Sequence, residues 1–229
     1  MRKERVIHTL KYKGRIVTTL ISIIVGIPYV AYNYKTLQSS IRTFIDTTVL
    51  IVTTVILWWL GKQYDKAKFY SEKDYLTGLY NRRFIEEIFP KLISSAKKIE
   101  QLSILILDCN DFKQINDTYG HKYGDLVLEN ISTILLKSTS VSDIIARWGG
   151  DEFLIISPFS DQTETEVMIK RIENGLRELS QKTEKKISVS AGFAIYPNDG
   201  KDMDSLIKIA DKNMYKLKTL SKKATLKKI

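Results

Sequence analysis

The residues best suited to chemistry are carboxylates at the ends of apolar runs. Asp108 closes the run Leu102–Leu107, and Asp151 and Glu152 follow the pair Gly149-Gly150 between two further apolar stretches, Ile144–Arg147 and Phe153–Ser157. A short apolar run bounded by turn residues reads as a buried strand, and two of them flanking a glycine pair read as a hairpin. A hairpin turn and a neighbouring strand end in one sheet can bring their carboxylates to a single patch. Hard oxygen ligands of this kind suit Mg²⁺, which takes one or two carboxylates and completes its shell with water and substrate phosphates. Taken alone, Gly149-Gly150-Asp151 is equally an ordinary tight turn, because Gly and Asp are common turn residues.

Other reactive arrangements are missing from the sequence. The single cysteine, Cys109, rules out an internal disulfide and any zinc site built from several cysteines. Its side chain is given no chemistry, since a free Cys usually behaves as a small buried hydrophobe. Neither G-x-x-x-x-G-K-[ST] nor G-x-G-x-x-G occurs, so a bound nucleotide would be held by some other phosphate cradle. There is no G-x-S-x-G, and the two histidines, His8 and His121, suggest no triad.

The carboxylates must be positioned by the elements around them. Apolar spacing predicts helices over Arg82–Lys98, Gly124–Lys137, Glu164–Ser180 and Asp204–Leu220, and strands over Leu102–Leu107 and Ile187–Ile195 besides the hairpin. That order, with a hairpin in the middle, favours an α+β layer fold with a largely antiparallel sheet over a doubly wound one. Of 229 residues 44% are hydrophobic, which rules out disorder over most of the length. The segment 74–229 is about the right length for one domain.

The net charge of +10 is unevenly spread. Residues 1–73 hold 12 Lys/Arg and 4 Asp/Glu, whereas residues 74–229 hold 24 and 22. A protein gripping a nucleic-acid backbone would carry its excess over the folded domain, so no nucleic-acid partner is expected.

Ile16–Tyr34 carries no charge, and Thr43–Gly61 carries only Asp46. Each run is long enough to span a bilayer. Asp46 stands near a helix end, within reach of the headgroups, where its cost is small. Six Lys/Arg precede the first run, two lie between the runs and four follow the second, from Lys62 to Lys73. The positive-inside rule then puts both termini in the cytoplasm, with Trp58 and Trp59 at the inner interface. No small-residue cleavage site precedes the short loop, so the first run is read as an anchor and not a cleaved signal peptide. The expected organisation is a basic N-terminus over 1–15, two transmembrane helices within 16–61, a connector helix over 62–73 and a folded domain over 74–229.

Five local patterns together point to a family. They are DYLTGLYNRR from Asp74 to Arg83, DCNDFKQIND from Asp108 to Asp117, GHKYGD from Gly120 to Asp125, RWGGDEF from Arg147 to Phe153, and ADKNMY from Ala210 to Tyr215. In this order the chain resembles the GGDEF-domain diguanylate cyclases, from Asp74 to Lys223. The resemblance implies a fold like the palm of nucleotidyl cyclases and polymerases. It implies condensation of two GTP into cyclic di-GMP with release of two pyrophosphates, by a homodimer in which two substrate-loaded domains face each other. Together with the two apolar runs, it implies a multi-pass protein of the bacterial inner membrane with its catalytic domain in the cytoplasm.

Carried onto this sequence, the resemblance makes Asp108, the main-chain carbonyl of Cys109 and Asp151 the ligands of two Mg²⁺ per active site, with Mn²⁺ as the alternative ion. Asp151 would help take the proton of the attacking 3′-hydroxyl, Glu152 would be a supporting acid, and Lys113 would neutralise phosphate charge. The backbone of Asp111, Phe112 and Lys113 would cradle the phosphates, with Lys218 and Lys222 as terminal basic contacts. Asn116 and Asp125, assisted by His121, would read the guanine, an amide and a carboxylate being suited to its O6 and its N1–H and N2–H₂ edge. Two places depart from the family pattern in the sites themselves: Asn110 stands where an aspartate is usual, and the three residues Ser221-Lys222-Lys223 replace the usual Gly-Arg-Asn. The product-inhibition motif Arg-x-x-Asp also lacks its arginine, with Ser140 in that place and Asp143 kept, so weak or absent product inhibition is expected. Two other readings are carried alongside: a catalytically silent GGDEF module that binds GTP or cyclic di-GMP, and, disfavoured by the charge split, a membrane-anchored nucleic-acid binder. The activating signal and any signalling partner are not legible.

Overall fold

The computed structural model describes residues 12–37, 40–94 and 101–226. The chain divides into two units, one ending at Ser71 and the other beginning at Glu72.

The first unit is a helical hairpin. Helix α1 covers Lys13–Leu37 and α2 covers Ser40–Glu72, so the second apolar run and the polar stretch after it form one uninterrupted helix. Both are long and apolar enough to cross a membrane, with mean hydropathy of 1.7 and 1.8 in their most apolar windows. Only 11% and 6% of those windows is buried by the chain itself, a pattern consistent with membrane anchoring. Polar groups meet across the seam. The buried Asp65 carboxylate accepts from the Gly14 and Arg15 N–H groups at 2.7 and 3.3 Å and pairs with Arg15 Nε at 3.2 Å. It thereby caps the orphan donors at the start of α1 from the partner helix. Ser22 and Thr54 hydroxyls bond midway, and Asn33 Nδ2 donates to Asp46 at 3.0 Å near the loop. Asp46 therefore has a partner within the hairpin.

The second unit is a five-stranded sheet with helices on both faces. Its elements are β1 (Tyr80–Asn81), α3 (Arg82–Ser94), β2 (Leu102–Cys109), α4 (Phe112–Tyr119), α5 (His121–Ser138), β3 (Ile144–Arg147), β4 (Glu152–Pro158), α6 (Gln162–Thr183), β5 (Val189–Tyr196) and α7 (Met203–Leu226). The strand order is β1-β3-β4-β2-β5, and every pairing is antiparallel except the two-residue β1 with β3. The largely antiparallel α+β expectation is met.

Strand β2 is nearly devoid of polar residues because it is central and covered on both faces. Leu102, Ile104 and Ile106 join one core with Ile85 and Phe89 of α3 and Leu206, Ala210 and Met214 of α7. Leu105, Leu107 and Cys109 join the other with Leu128, Ile131 and Leu135 of α5 and Met168, Ile172 and Leu176 of α6. Shortening any of these leucines to Ala is expected to cost about 2–5 kcal/mol. Helix α7 lies hard against β5: a Cβ on Gly192 would stand 2.7 Å from Met214 Cα. This approach brings the next turn of α7 to the end of β2.

Several boundaries differ from those expected. Helix α5 begins three residues early, at His121, and β5 starts two residues late, at Val189. The described part of α3 ends at Ser94, and the expected extension to Lys98 lies outside the described residues. Helix α6 starts at Gln162 because Asp161 and Glu164 form a reciprocal capping box. Helix α4 is an addition to the elements that apolar spacing predicts. The positive φ of Gly120, 82°, separates it from α5.

Candidate active site

The antiparallel register of β2 and β4 sets Asp108 directly opposite Glu152, and the hairpin turn before Glu152 carries Asp151. The Cys109 N–H donates to the Asp151 carbonyl at 3.1 Å, fastening the end of β2 to that turn. The turn closes through Trp148 and Gly149 N–H groups, which donate to the Glu152 carbonyl at 2.8 and 3.2 Å. The glycine at 149 leaves room for the Glu152 carboxylate, which would lie 2.6 Å from a Cβ there.

The Asp108 charge opposes ionisation of the other two carboxylates. Burial first, and then the Asp108 charge, push the Asp151 carboxyl above its ordinary value. Burial, Asp108, Asp151 and Asp211 do the same to Glu152. Lys218 of α7 supplies an opposing charge, with its ammonium 2.6 Å from Asp108 Oδ1. Like carboxylates gathered at a strand end, tied to a lysine ammonium, form a donor set fit for a hard divalent cation. Among the described residues no group of three or more His, Cys, Asp or Glu side chains forms a metal cage, so a cation here would rely on two carboxylates, main-chain oxygen, water and phosphate. The Cys109 thiol is buried, and burial followed by the charges of Asp151 and Asp108 pushes it up to about 12, so only its main-chain carbonyl is suited to ligation.

Next to this patch the chain turns into α4. Asp111 adopts the left-handed conformation, φ 56°, and no side chain caps the N-terminus of α4. Uncapped N–H groups at a helix start favour an anion. Lys113 lies exposed in this first turn, and Phe112 packs against the core below it.

The remaining residues cluster where α4 meets α5. Asn116 Oδ1 is buried and has no hydrogen-bond partner among the described residues. Gly124 of α5 faces it so closely that a Cβ would collide with Asn116 Oδ1. Asp125 follows Gly124 and His121 opens the helix, both exposed. An orphaned amide oxygen on one helix and an exposed carboxylate on the next would suit a ligand edge carrying N–H donors, since a buried unmet acceptor is costly. The Lys222 side chain lies outside the described residues. Asp143 accepts from the Ser140 N–H and the Ser157 hydroxyl, each at 2.7 Å, so both of its oxygens are engaged within the fold.

One pairing has no role in the sequence pattern alone. Arg147 reaches Asp74 through Nη1, at 3.2 and 3.3 Å to the two oxygens, and donates from Nε and Nη2 to the Gly150 carbonyl at 3.1 and 2.7 Å. It thus joins the entry of the domain to the turn bearing Asp151. Both residues stand within family motifs, yet 73 positions separate them.

The family model described as "Diguanylate cyclase, GGDEF domain" matches residues 71–224. Diguanylate cyclase DosC of Escherichia coli (strain K12) is 37% identical over 147 residues, covering 62% of this chain and 32% of that protein. Cyclic di-GMP phosphodiesterase PdeR of the same organism is 33% identical over 156 residues, covering 67% and 23%. The chain therefore spans about a third or less of the length of these relatives. The crystal structure of the coiled coil and GGDEF domain of DgcB from Caulobacter crescentus, in complex with c-di-GMP, superposes with a TM-score of 0.66. It is 25% identical and covers 76% of this chain and 94% of that one.

Proposed function

The chain belongs to the family of GGDEF-domain diguanylate cyclases, and on that premise we propose that it condenses two GTP into cyclic di-GMP, with release of two pyrophosphates, at the cytoplasmic face of a bacterial inner membrane. The observation that carries this reading is the register setting Asp108 opposite Glu152, with Asp151 in the adjoining turn and the uncapped start of α4 beside them.

Asp108, Asp151 and the Cys109 carbonyl would hold two Mg²⁺, or Mn²⁺ in their place. Bound there, the ions would stabilise both the attacking and leaving oxygens of an in-line displacement at the α-phosphate. The chain's own residues do the rest. Asp151, supported by Glu152, accepts the proton of the 3′-hydroxyl as that oxygen bonds to the α-phosphorus and pyrophosphate departs. N–H groups of Asp111, Phe112 and Lys113 cradle the phosphates, with Lys113, Lys218 and Lys222 balancing their charge. Asn116 and Asp125, with His121 beside them, read the guanine edge.

Each domain offers one such site, so two copies must face each other, and the functional unit is a homodimer. The hairpin α1–α2 would hold the domains at the membrane with both termini cytoplasmic. With Ser140 in place of an arginine and Asp143 already bonded, product inhibition at that position would be weak.

Incubation with equal GTP and ATP in Mg²⁺ tests the reading. A site built to hydrogen-bond a missing group rejects the analogue by about 10⁴ or more, so cyclic di-GMP should be essentially the sole product. Substantial mixed or adenine-only cyclic dinucleotide contradicts the assignment of Asn116 and Asp125.

A further inference from the structure

Asn110, within the pattern DCNDFKQIND, has no role in the proposed chemistry. It stands one position beyond β2 and continues the β2–β5 ladder by a rung, since Cys109 pairs with Val189 and the Asn110 N–H donates to the Ser188 carbonyl at 2.9 Å. Its side chain is engaged at both ends. Nδ2 donates to the Ser188 hydroxyl at 3.1 Å, and Oδ1 accepts from the Ser190 hydroxyl at 2.7 Å.

We propose that Asn110 is a positioning residue, whose carboxamide, gripped by Ser188 and Ser190 of the β5 edge, fixes the turn that binds the nucleotide phosphates. The inference rests on the phosphate-binding role proposed for that turn. Its physical basis is the strained backbone at the next position. Asp111 is a non-glycine residue in the left-handed region, a conformation that persists only where surrounding structure holds it. The start of α4 has no side-chain cap, so no bond of that kind pins the turn from the helix side. On the strand side the Cys109 N–H is fixed to the Asp151 carbonyl, and the next three bonds all belong to Asn110. The phosphate-facing N–H groups therefore inherit their direction from Asn110. The carboxylates on β2 and β4 do not, because their register is set by the full ladder.

The serines also explain how an amide can serve where an aspartate is usual. Each hydroxyl can donate or accept. An amide gives one bond and takes one, and a carboxylate would take both once the Ser188 hydroxyl rotates. A leucine has similar volume and can do neither.

The test uses the full chain in lipid nanodiscs with saturating Mg²⁺, and measures the affinity of a non-hydrolysable GTP analogue beside that of guanosine. For Asn110→Leu the GTP analogue should bind about tenfold or more weakly while guanosine is unchanged, and KM for GTP should rise more than kcat falls. Asn110→Asp should restore analogue affinity to within about threefold. Unchanged analogue affinity in Asn110→Leu overturns the proposal, as does an equal loss for guanosine, which reports general damage, or an Asn110→Asp variant as weak as Asn110→Leu. Should Asn110→Leu not fold, Ser190→Ala removes one grip from the other side and is read by the same ratio. Wild type that binds the analogue but makes no cyclic dinucleotide would sink the cyclase reading, while the affinity ratios would still decide the role of Asn110.

Discussion

At the scale of single residues, the Asp74–Arg147 pair makes the clearest pH-dependent prediction. Burial alone would push the Asp74 carboxyl up, but hydrogen bonds from the Thr77 hydroxyl and N–H, together with the Arg147 charge, outweigh it and hold the carboxyl below its ordinary value. A carboxyl with a lower pKa folded than unfolded stabilises the fold above its unfolded pKa, about 3.9, and that stability is lost as pH falls through the lower, folded value. Asp74→Asn should therefore be less stable than wild type by about 2 kcal/mol at neutral pH, with the difference shrinking below about pH 4. Chemical denaturation followed by circular dichroism across that range checks it. A difference constant with pH would mean that packing and not charge is at stake. Because Arg147 also holds the Gly150 carbonyl, the same variant should loosen the turn bearing Asp151.

At the scale of elements, α4 and α5 meet through a glycine, and the contact is testable. Ala is favoured over Gly in a helix interior by about 1 kcal/mol, so Gly124→Ala would stabilise α5 if propensity alone mattered. Its methyl group would instead take the space of Asn116 Oδ1 and turn that amide away. GTP and guanosine should both bind roughly tenfold more weakly, by the loss of a buried hydrogen bond. Calorimetric titration showing wild-type affinity for both would contradict the role given to Asn116. The elements differ in how legibly the sequence wrote them. Strand β2 was plain because a continuous apolar run ending at Asp108 fits a strand covered on both faces. Helices α5 and α7 were plain from their apolar period. Helix α4 was not, since eight residues between a left-handed Asp111 and Gly120 offer too few turns for a period to show. Strand β1, two residues in a parallel pair, gives no pattern at all. The carboxylate patch could be anticipated because strand ends and turns announce themselves locally. The ties of Arg147 to Asp74 and of Asn110 to Ser188 and Ser190 join residues more than 70 positions apart, and only the folded sheet brings them together.

At the scale of the whole molecule, the uninterrupted α2 carries the chain from the apolar hairpin to the start of the second unit. If the hairpin holds copies together in a membrane, the second active site arrives at an effective concentration of roughly millimolar instead of the bulk value. A protein shortened to begin at Ser71 should therefore show specific activity that rises with its own concentration and is low in dilute solution. Activity independent of concentration in the shortened protein would refute the tethering role. The central claim is that carboxylates at the β2 end and the hairpin turn make cyclic di-GMP, and it is tested most directly by separating the products of GTP and Mg²⁺ chromatographically for wild type beside Asp151→Ala. Wild type should give cyclic di-GMP and pyrophosphate, and Asp151→Ala none while keeping the wild-type circular dichroism spectrum. Product from Asp151→Ala at a rate near that of wild type, or none from wild type that binds GTP, would contradict it.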